Sequence, residues 1–348
     1  MTTNLKTLMV TAACCAMFST AAHAETSARV LTQILPTAKQ YPNEAAAIET
    51  LNGSGFAVQY NNYEGLGLST ADGLRFVSDN TFNIVSVQIG TAARDDAFFE
   101  GIDLIGVSPD MDSLATAVDA YRDVFDARLQ ERFGATVLAL WPFGPQVFYC
   151  NAEIGSVADL EGLKIRSFTP SMSALLESFG STPVTLNFGE VYPALQRGVA
   201  DCGVTSPTSG NSGAWPEVTT HQLPLSVSGS VQGIFANLEW WNSLTDEERA
   251  TVSATYATLE AEQWALARTI NDDAVACNTG QDSCSEGTPF SMALVDVSDD
   301  DRAAVSMAAA SVVLPDWINR CEATYPGCTA VWNETVGAAR GFTAVAPN

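Results

Sequence analysis

The sequence predicts an α/β protein, and three observations carry that reading. Short apolar runs of strand length alternate with segments of helical periodicity along the whole chain, an order that favours parallel strands joined by helical crossovers. The 348 residues suffice for two domains or for one large one. No internal repeat and no low-complexity linker divides the halves, so two domains would be joined by a chain that crosses between them more than once.

The elements follow in order. Residues 30–36 (VLTQILP) read as a first strand, 43–51 as a short helix stopped by Gly53 and Gly55, and 56–60 as a second strand. A helical stretch over 68–77 precedes a buried strand over 82–89. Leu114, Val118, Tyr121, Phe125 and Leu129 recur at three- and four-residue spacing and predict a helix over 114–133. Strands follow at 136–140 and 146–150. LEGLKIRSF then enters a strand, SMSALLESFG is a helix closed by Gly180, and GEVYPALQRGVADCGV is a helix running into another strand. Between 244 and 279 there is neither Gly nor Pro. Thr245 is placed to cap a helix there, with Asp246, Glu247 and Glu248 in the first turn, where the helix dipole favours acids. Roughly 30 residues at ~1.5 Å rise give ~45 Å, longer than one small domain is wide. Such a helix either runs along the back of two lobes or projects as a dimerisation arm.

Charge and composition exclude some partners. There are 16 basic and 40 acidic side chains, a net charge of −24, which argues against nucleic acid and anionic lipid, since both need a cationic face. Apolar residues make up 47% of the chain, so the acid excess is a solvated surface on a folded protein. The N-terminus has a positive start at Lys6, a short apolar stretch over 8–18 and the small-x-small triplet Ala22-His23-Ala24. It predicts a signal peptide over residues 1–24, cleaved after Ala24, and export to the periplasm. No later stretch reaches the ~18 apolar residues of a membrane span, so no direct membrane insertion is expected.

Cys14 and Cys15 leave with that leader, and Cys150, Cys202, Cys277, Cys284, Cys321 and Cys328 remain. An even count in an oxidising compartment predicts bridges. Two short spacings, CNTGQDSC and CEATYPGC, each contain a Gly turn and predict Cys277–Cys284 and Cys321–Cys328. Cys150 and Cys202 are the remaining pair, and the alternative is two separate buried thiols. No metal site is expected: there is no C-x-x-C, and His221 is the single histidine after the leader. No cofactor motif occurs, neither G-x-G-x-x-G after a strand nor a P-loop. A serine hydrolase would lack its G-x-S-x-G elbow. Pairs of acids arise by chance among 40, so a glycosidase has little support. The sequence predicts a binding protein and not an enzyme.

The run VADLEGLKIRSFTPSMSALLESFGSTPVTLNFGEVYPALQRGVADC, followed by NLEWWNSLTDEER, resembles the extracytoplasmic solute receptors of tripartite ATP-independent periplasmic (TRAP) transporters, of the dicarboxylate-receptor (DctP) type. The resemblance covers residues 157–249 and extends weakly back to about Tyr60, while the last 60 residues match little. It implies a two-lobe periplasmic binding protein fold with a long helix spanning both lobes. Lobe I would hold 25–145 plus about 227–260, and lobe II 146–226 plus about 261–348. It also implies capture of a small organic acid in the interlobe cleft and delivery to TRAP membrane subunits. A periplasmic sensing subunit would use the same closing lobes, and a hydrolytic enzyme is the remaining alternative.

In such receptors the Arg ending G-L-K-I-R grips a substrate carboxylate, a position held here by Arg166. A guanidinium fork matches a carboxylate in geometry and charge, and the pairing strengthens when desolvated. The alternative is a structural ion pair of Arg166 with Asp159 or Glu190. Glu190 has a second candidate role, capping the helix it opens. Two departures from the family pattern make the site less charged. Gln146 stands where many receptors carry a second Arg, and Val204 and Thr205 replace an acid or an amide followed by Pro. A monocarboxylate with an apolar or hydroxylated body therefore fits better than a C4 dicarboxylate. Trp141, Phe143, Phe168, Phe188, Trp215 and Phe235 are the candidate apolar walls, ordinary core being the alternative for each. Gln146, Thr205 and Ser206 are candidates for a ligand hydroxyl or keto oxygen, and Arg94 for a second cation.

Overall fold

The computed structural model describes residues 25–347; the expected leader and its cleavage point after Ala24 lie outside them. The described strands are β1 (Thr26–Thr32), β2 (Phe56–Asn62), β3 (Ile84–Gln88), β4 (Ala135–Pro142), β5 (Val147–Cys150), β6 (Lys164–Ser167), β7 (Thr182–Thr185), β8 (Cys202–Thr205), β9 (His221–Leu223), β10 (Val231–Asn237) and β11 (Ala293–Leu294). They form two sheets, ordered β2-β1-β3-β10-β4 and β11-β9-β5-β8-β6-β7.

The expected parallel sheets each contain one reversed strand. In the first sheet, β10 runs antiparallel to both β3 and β4. In the second, β5 runs antiparallel to both β8 and β9. These are the strands by which the chain enters a sheet from the other one. The links 143–146 and 224–230 are too short for the helical crossover that a parallel neighbour requires. The two links lie side by side and hydrogen-bond to each other. Phe143 N donates to Ser230 O (3.2 Å), Gln146 N to Ser228 O (2.8 Å) and Val227 N to Gln146 O (3.0 Å). This two-stranded ribbon joins the sheets.

The first strand lies earlier than its apolar run, at Thr26–Thr32 rather than 30–36. Thr32 ends it: its Oγ1 accepts from Ile34 N at 3.0 Å, removing that donor from the ladder, and residues 33–40 leave the sheet. The helix expected over 68–77 is broken into the turn Thr70–Asp72 and the helix Gly73–Ser78.

The long helix is Asp246–Asn278, capped by Thr245 and Glu248 in a reciprocal capping box. It lies along both sheets instead of projecting as an arm. Its first half buries Val252, Tyr256 and Leu259 with Ala28, Val30 and Trp141 of the first sheet. Its second half reaches the other sheet: Asn271 Oδ1 accepts from Thr208 Oγ1 (2.8 Å), and Asn278 Nδ2 donates to Tyr149 OH (2.7 Å). Gly144 of the ribbon sits against it at φ +127°, where a Cβ would lie 2.1 Å from Asn271 Nδ2, so only glycine fits.

The C-terminal segment, placed by the sequence reading in lobe II from 261 onward, divides. Val305 and Val313 join the core of the second sheet. Trp317 and Trp332 join that of the first, beside Phe98, Phe99 and Tyr121. Each indole finds a carbonyl there: Trp317 Nε1 donates to Ala97 O (2.7 Å) and Trp332 Nε1 to Gly101 O (2.9 Å). A buried indole usually finds such a partner, and these two bonds tie the C-terminal helices to the turn Ala97–Ile102.

All three expected disulfides are formed: Cys150–Cys202, Cys277–Cys284 and Cys321–Cys328. Cys150 and Cys202 are opposite one another in the β5–β8 register. Among the described residues no helix is long and apolar enough to cross a membrane.

Candidate functional site

A cleft of about 730 Å³ lies between the sheets and takes its walls from both. Arg166 enters it from β6, whose neighbours β7 and β8 hold it at Val184 and Gly203. Its side chain is positioned by main-chain acceptors: Nε donates to Leu186 O (3.1 Å) and Nη1 to Val204 O (2.8 Å). Phe168 lies under the guanidinium at 4.6 Å, and the Trp215 ring is 5.8 Å away. Arg166 is only 5% exposed, and burial without a counter-charge pushes it down to about 9, still cationic at neutral pH.

Neither acid proposed as its structural partner takes that role. Asp159 Oδ2 accepts from Gly155 N (2.9 Å) and Ser156 Oγ (3.1 Å). Glu190 Oε2 accepts from Asn187 N (2.9 Å) in a capping box, which is its capping role; its residue also lines the cleft. A buried guanidinium without a carboxylate is a poised anion site.

Eight sequence-predicted residues line this one cleft: Arg166, Gln146, Phe168, Phe188, Thr205, Phe143, Trp215 and Arg94. Phe188 and Trp215 stack at 5.5 Å and 24° beside Arg166. Gln146 Nε2 donates to Gly144 O (2.9 Å), which aims the rest of the amide. Arg94 is exposed at the rim.

Three expected residues lie elsewhere. Trp141 is buried with Tyr256 and Leu259 of the long helix. Phe235 is buried on the other face of the first sheet, 5.9 Å from Phe125. Both lie inside strands whose side chains alternate between two covered faces, so neither reaches the strand ends where the cleft opens. Ser206 caps the helix Pro207–Ser212, its Oγ accepting from Ser209 N at 3.2 Å, and is fully buried.

Sequence reasoning missed Gln33, Gln88 and Ser230. Gln88 N donates to Gln33 Oε1 (3.2 Å), and Gln88 Nε2 to Ser230 Oγ (3.0 Å). Gln88 carried a usable signal: it ends a parallel strand, and ligands of open α/β sheets gather at such carboxyl ends. Ser230 carried none, because it lies in the link by which the chain returns from β9 of the second sheet to β10 of the first.

Residues 114–313 match the model of the family described as bacterial extracellular solute-binding protein, family 7. The ectoine-binding periplasmic protein TeaA of Halomonas elongata is 30% identical over 148 residues, 41% of this chain and 43% of that protein. The C4-dicarboxylate-binding periplasmic protein DctP of Rhodobacter capsulatus is 26% identical over 160 residues, 46% of this chain and 48% of that one. The chain thus spans about half the length of the curated relatives it matches. The solved structure of DctP6, a Bordetella pertussis extracytoplasmic solute receptor binding pyroglutamic acid, superposes with a TM-score of 0.79 at 18% identity. It covers 91% of this chain and 100% of that one, and the two share a fold.

Proposed function

The chain belongs to the bacterial extracellular solute-binding proteins of family 7, and from that premise we propose that it captures a small organic acid, a monocarboxylate, in the cleft and delivers it to a TRAP-type membrane transporter. The observation that carries this reading is Arg166, a buried cation in the cleft with no carboxylate partner among the described residues. A ligand carboxylate would supply the missing charge, and the aromatic rings around Arg166 would cover its apolar body. The relatives are named for ectoine and C4-dicarboxylates, and the DctP6 receptor for pyroglutamic acid. With Gln146 in the cleft instead of a second arginine, a ligand with one carboxylate suits this chain better, since a second would be desolvated without a partner.

The lobes in this reading follow the two sheets. One comprises 25–145 and 227–260 with the C-terminal helices from 314, and the other 146–226 with about 261–313. The ribbon of 143–146 and 227–230 is the hinge. Export to the periplasm with removal of residues 1–24 belongs to the same reading, as does binding without catalysis.

A thermal-shift screen against organic acids, followed by calorimetry and small-angle scattering on each hit, tests it. A binder should raise the melting temperature by mass action and compact the protein. No shift with any acid, or no compaction at saturation, overturns the reading.

A further inference from the structure

Asp103 is a half-buried carboxylate outside the ligand-contacting wall of the cleft. It follows the turn Ala97–Ile102, between Ile102 and Leu104 of the first core. Its acceptors are spent on one short stretch of the returning link. Oδ2 takes Ser228 Oγ (2.9 Å) and Val231 N (3.2 Å), and Oδ1 takes Gly229 N (3.5 Å). Ser228 Oγ in turn accepts from Ser230 N (3.0 Å). Inside this clamp Ser230 has φ +56°, a left-handed conformation that a residue with a side chain rarely adopts. Backbone held in such a state by its surroundings is characteristic of working sites.

Ser230 leads directly to the cleft. Its Oγ accepts from Gln88 Nε2, and both residues line the cleft wall. Gln88 Oε1 is buried and has no partner among the described residues. Behind this wall a cavity of about 10 Å³, the size of one water, is bounded by Asp103, Gln88, Ser228 and Phe168, the ring beneath Arg166.

We propose that Asp103 is a positioning residue for ligand binding: it holds the returning strand of the hinge in the turn that sets Ser230, and through Ser230 the Gln88 amide, against the ligand. This rests on the solute-binding reading above. Asp103 touches no ligand itself. It couples the hinge, whose geometry changes as lobes close, to the wall of the cleft.

The coupling is pH-dependent. Burial without a counter-charge pushes Asp103 up to about 6. Above that value the carboxylate accepts from every donor turned toward it. Below it, a proton occupies one of those positions and faces donors with a donor, so the clamp loosens. The other ionisable group lining the small cavity is Glu100, which Arg320 Nη1 and Ser171 N hold at 3.0 and 2.8 Å. The helix Met111–Phe133 meets the turn at Gly229 through Leu114 and Met111, neither of which is charged. Glu44, pushed up to about 7, is hydrogen-bonded to Thr32 Oγ1 and Tyr60 OH and lines neither the small cavity nor the cleft, so it requires its own control.

The test uses pyroglutamate as probe and two readouts. Calorimetry at pH 5, 6 and 7.5 compares the wild type with Asp103→Asn, Ser230→Ala and Glu44→Gln. Amide hydrogen exchange follows residues 226–231 in the ligand-free proteins. The wild type should lose affinity on acidification by about fivefold, the worth of one hydrogen bond. Asp103→Asn should bind about tenfold more weakly at pH 7.5 with a flattened pH profile, and its 226–231 amides should exchange faster. Ser230→Ala leaves the clamp intact, so it should weaken binding while keeping the wild-type pH profile. Glu44→Gln should keep the pH response between 5 and 6. Asp103→Asn with wild-type affinity and pH profile overturns the proposal. Where the wild type binds neither pyroglutamate nor any acid of the thermal-shift screen, the solute-binding reading fails separately and exchange decides: faster exchange in Asp103→Asn supports the clamp, and unchanged exchange overturns it.

Discussion

The guanidinium of Arg166 lies 4.6 Å above the ring of Phe168, two residues further along the chain, and both residues line the cleft. The ring and two main-chain carbonyls hold the cation in place without neutralising it. Stability alone would not select that arrangement, because an unpaired buried charge carries a desolvation cost. It is intelligible as preparation for an anion.

Removing that cation should remove binding. Arg166→Ala is expected to cost about 2–5 kcal/mol of affinity for the acid found by screening, because the ligand carboxylate would be buried unpaired. Arg166→Lys should also bind more weakly, since an ammonium cannot reproduce the fork held by Leu186 O and Val204 O. Calorimetry measures both, and an Arg166→Ala affinity within twofold of wild type contradicts the assignment.

Ligand choice follows from the charge count of the cleft. A monocarboxylate should bind more tightly than its matched C4 dicarboxylate, with Gln146 offering no second cation. Paired titrations decide it. Tighter binding of the dicarboxylate would direct attention to Arg94 at the rim, whose Ala variant should then reverse the preference.

The disulfides should contribute unequally. Cys150 and Cys202 are separated by 52 residues, and the chain-entropy argument gives about 4 kcal/mol for closing that loop. Each pair separated by 7 residues should contribute about 2 kcal/mol. Denaturant unfolding of the three double Cys→Ser variants should therefore rank Cys150/Cys202 as the most destabilised.

Stability should fall as the pH rises from about 4.5 to about 7. Glu44 is buried against Tyr60 OH (2.8 Å) and Thr32 Oγ1 (2.8 Å), with no cation beside it among the described residues, and desolvation raises it from 4.5 to about 7. The folded protein thus keeps a proton that the unfolded chain releases in that window. The stabilisation is complete below the unfolded value, and by pH 8 about 3 kcal/mol is lost. Glu44→Gln should be more stable than wild type at pH 8 and lack this slope, as thermal melts at pH 5 and 8 would reveal.

Local chemistry was legible in the sequence wherever neighbours along the chain supply the interaction. Thr245 and Glu248 cap the long helix, Glu190 caps its own, and the two short-spaced cysteine pairs close. Arg166 was legible because the run around it resembles a known receptor segment. The aromatic walls were half legible. Composition points to large apolar side chains, but strand parity decides whether a ring meets a ligand or a helix. Phe143 stands just beyond the end of β4 and reaches the cleft, whereas Trp141 inside the strand is covered.

What the sequence by itself determined is therefore the α/β class, the long helix with its cap, and the two short-spaced bridges. Tertiary structure alone decided the reversed strands β5 and β10, the docking of Trp317 and Trp332 on the first core, and the alliance of Asp103, Ser230 and Gln88. The reason is separation along the chain. Asp103 and Ser228 are 125 residues apart, and Gln88 and Ser230 are 142 apart. No local propensity or periodicity encodes such a meeting. It exists because the chain passes to the second sheet and returns, and packing then fixes which polar groups must satisfy each other.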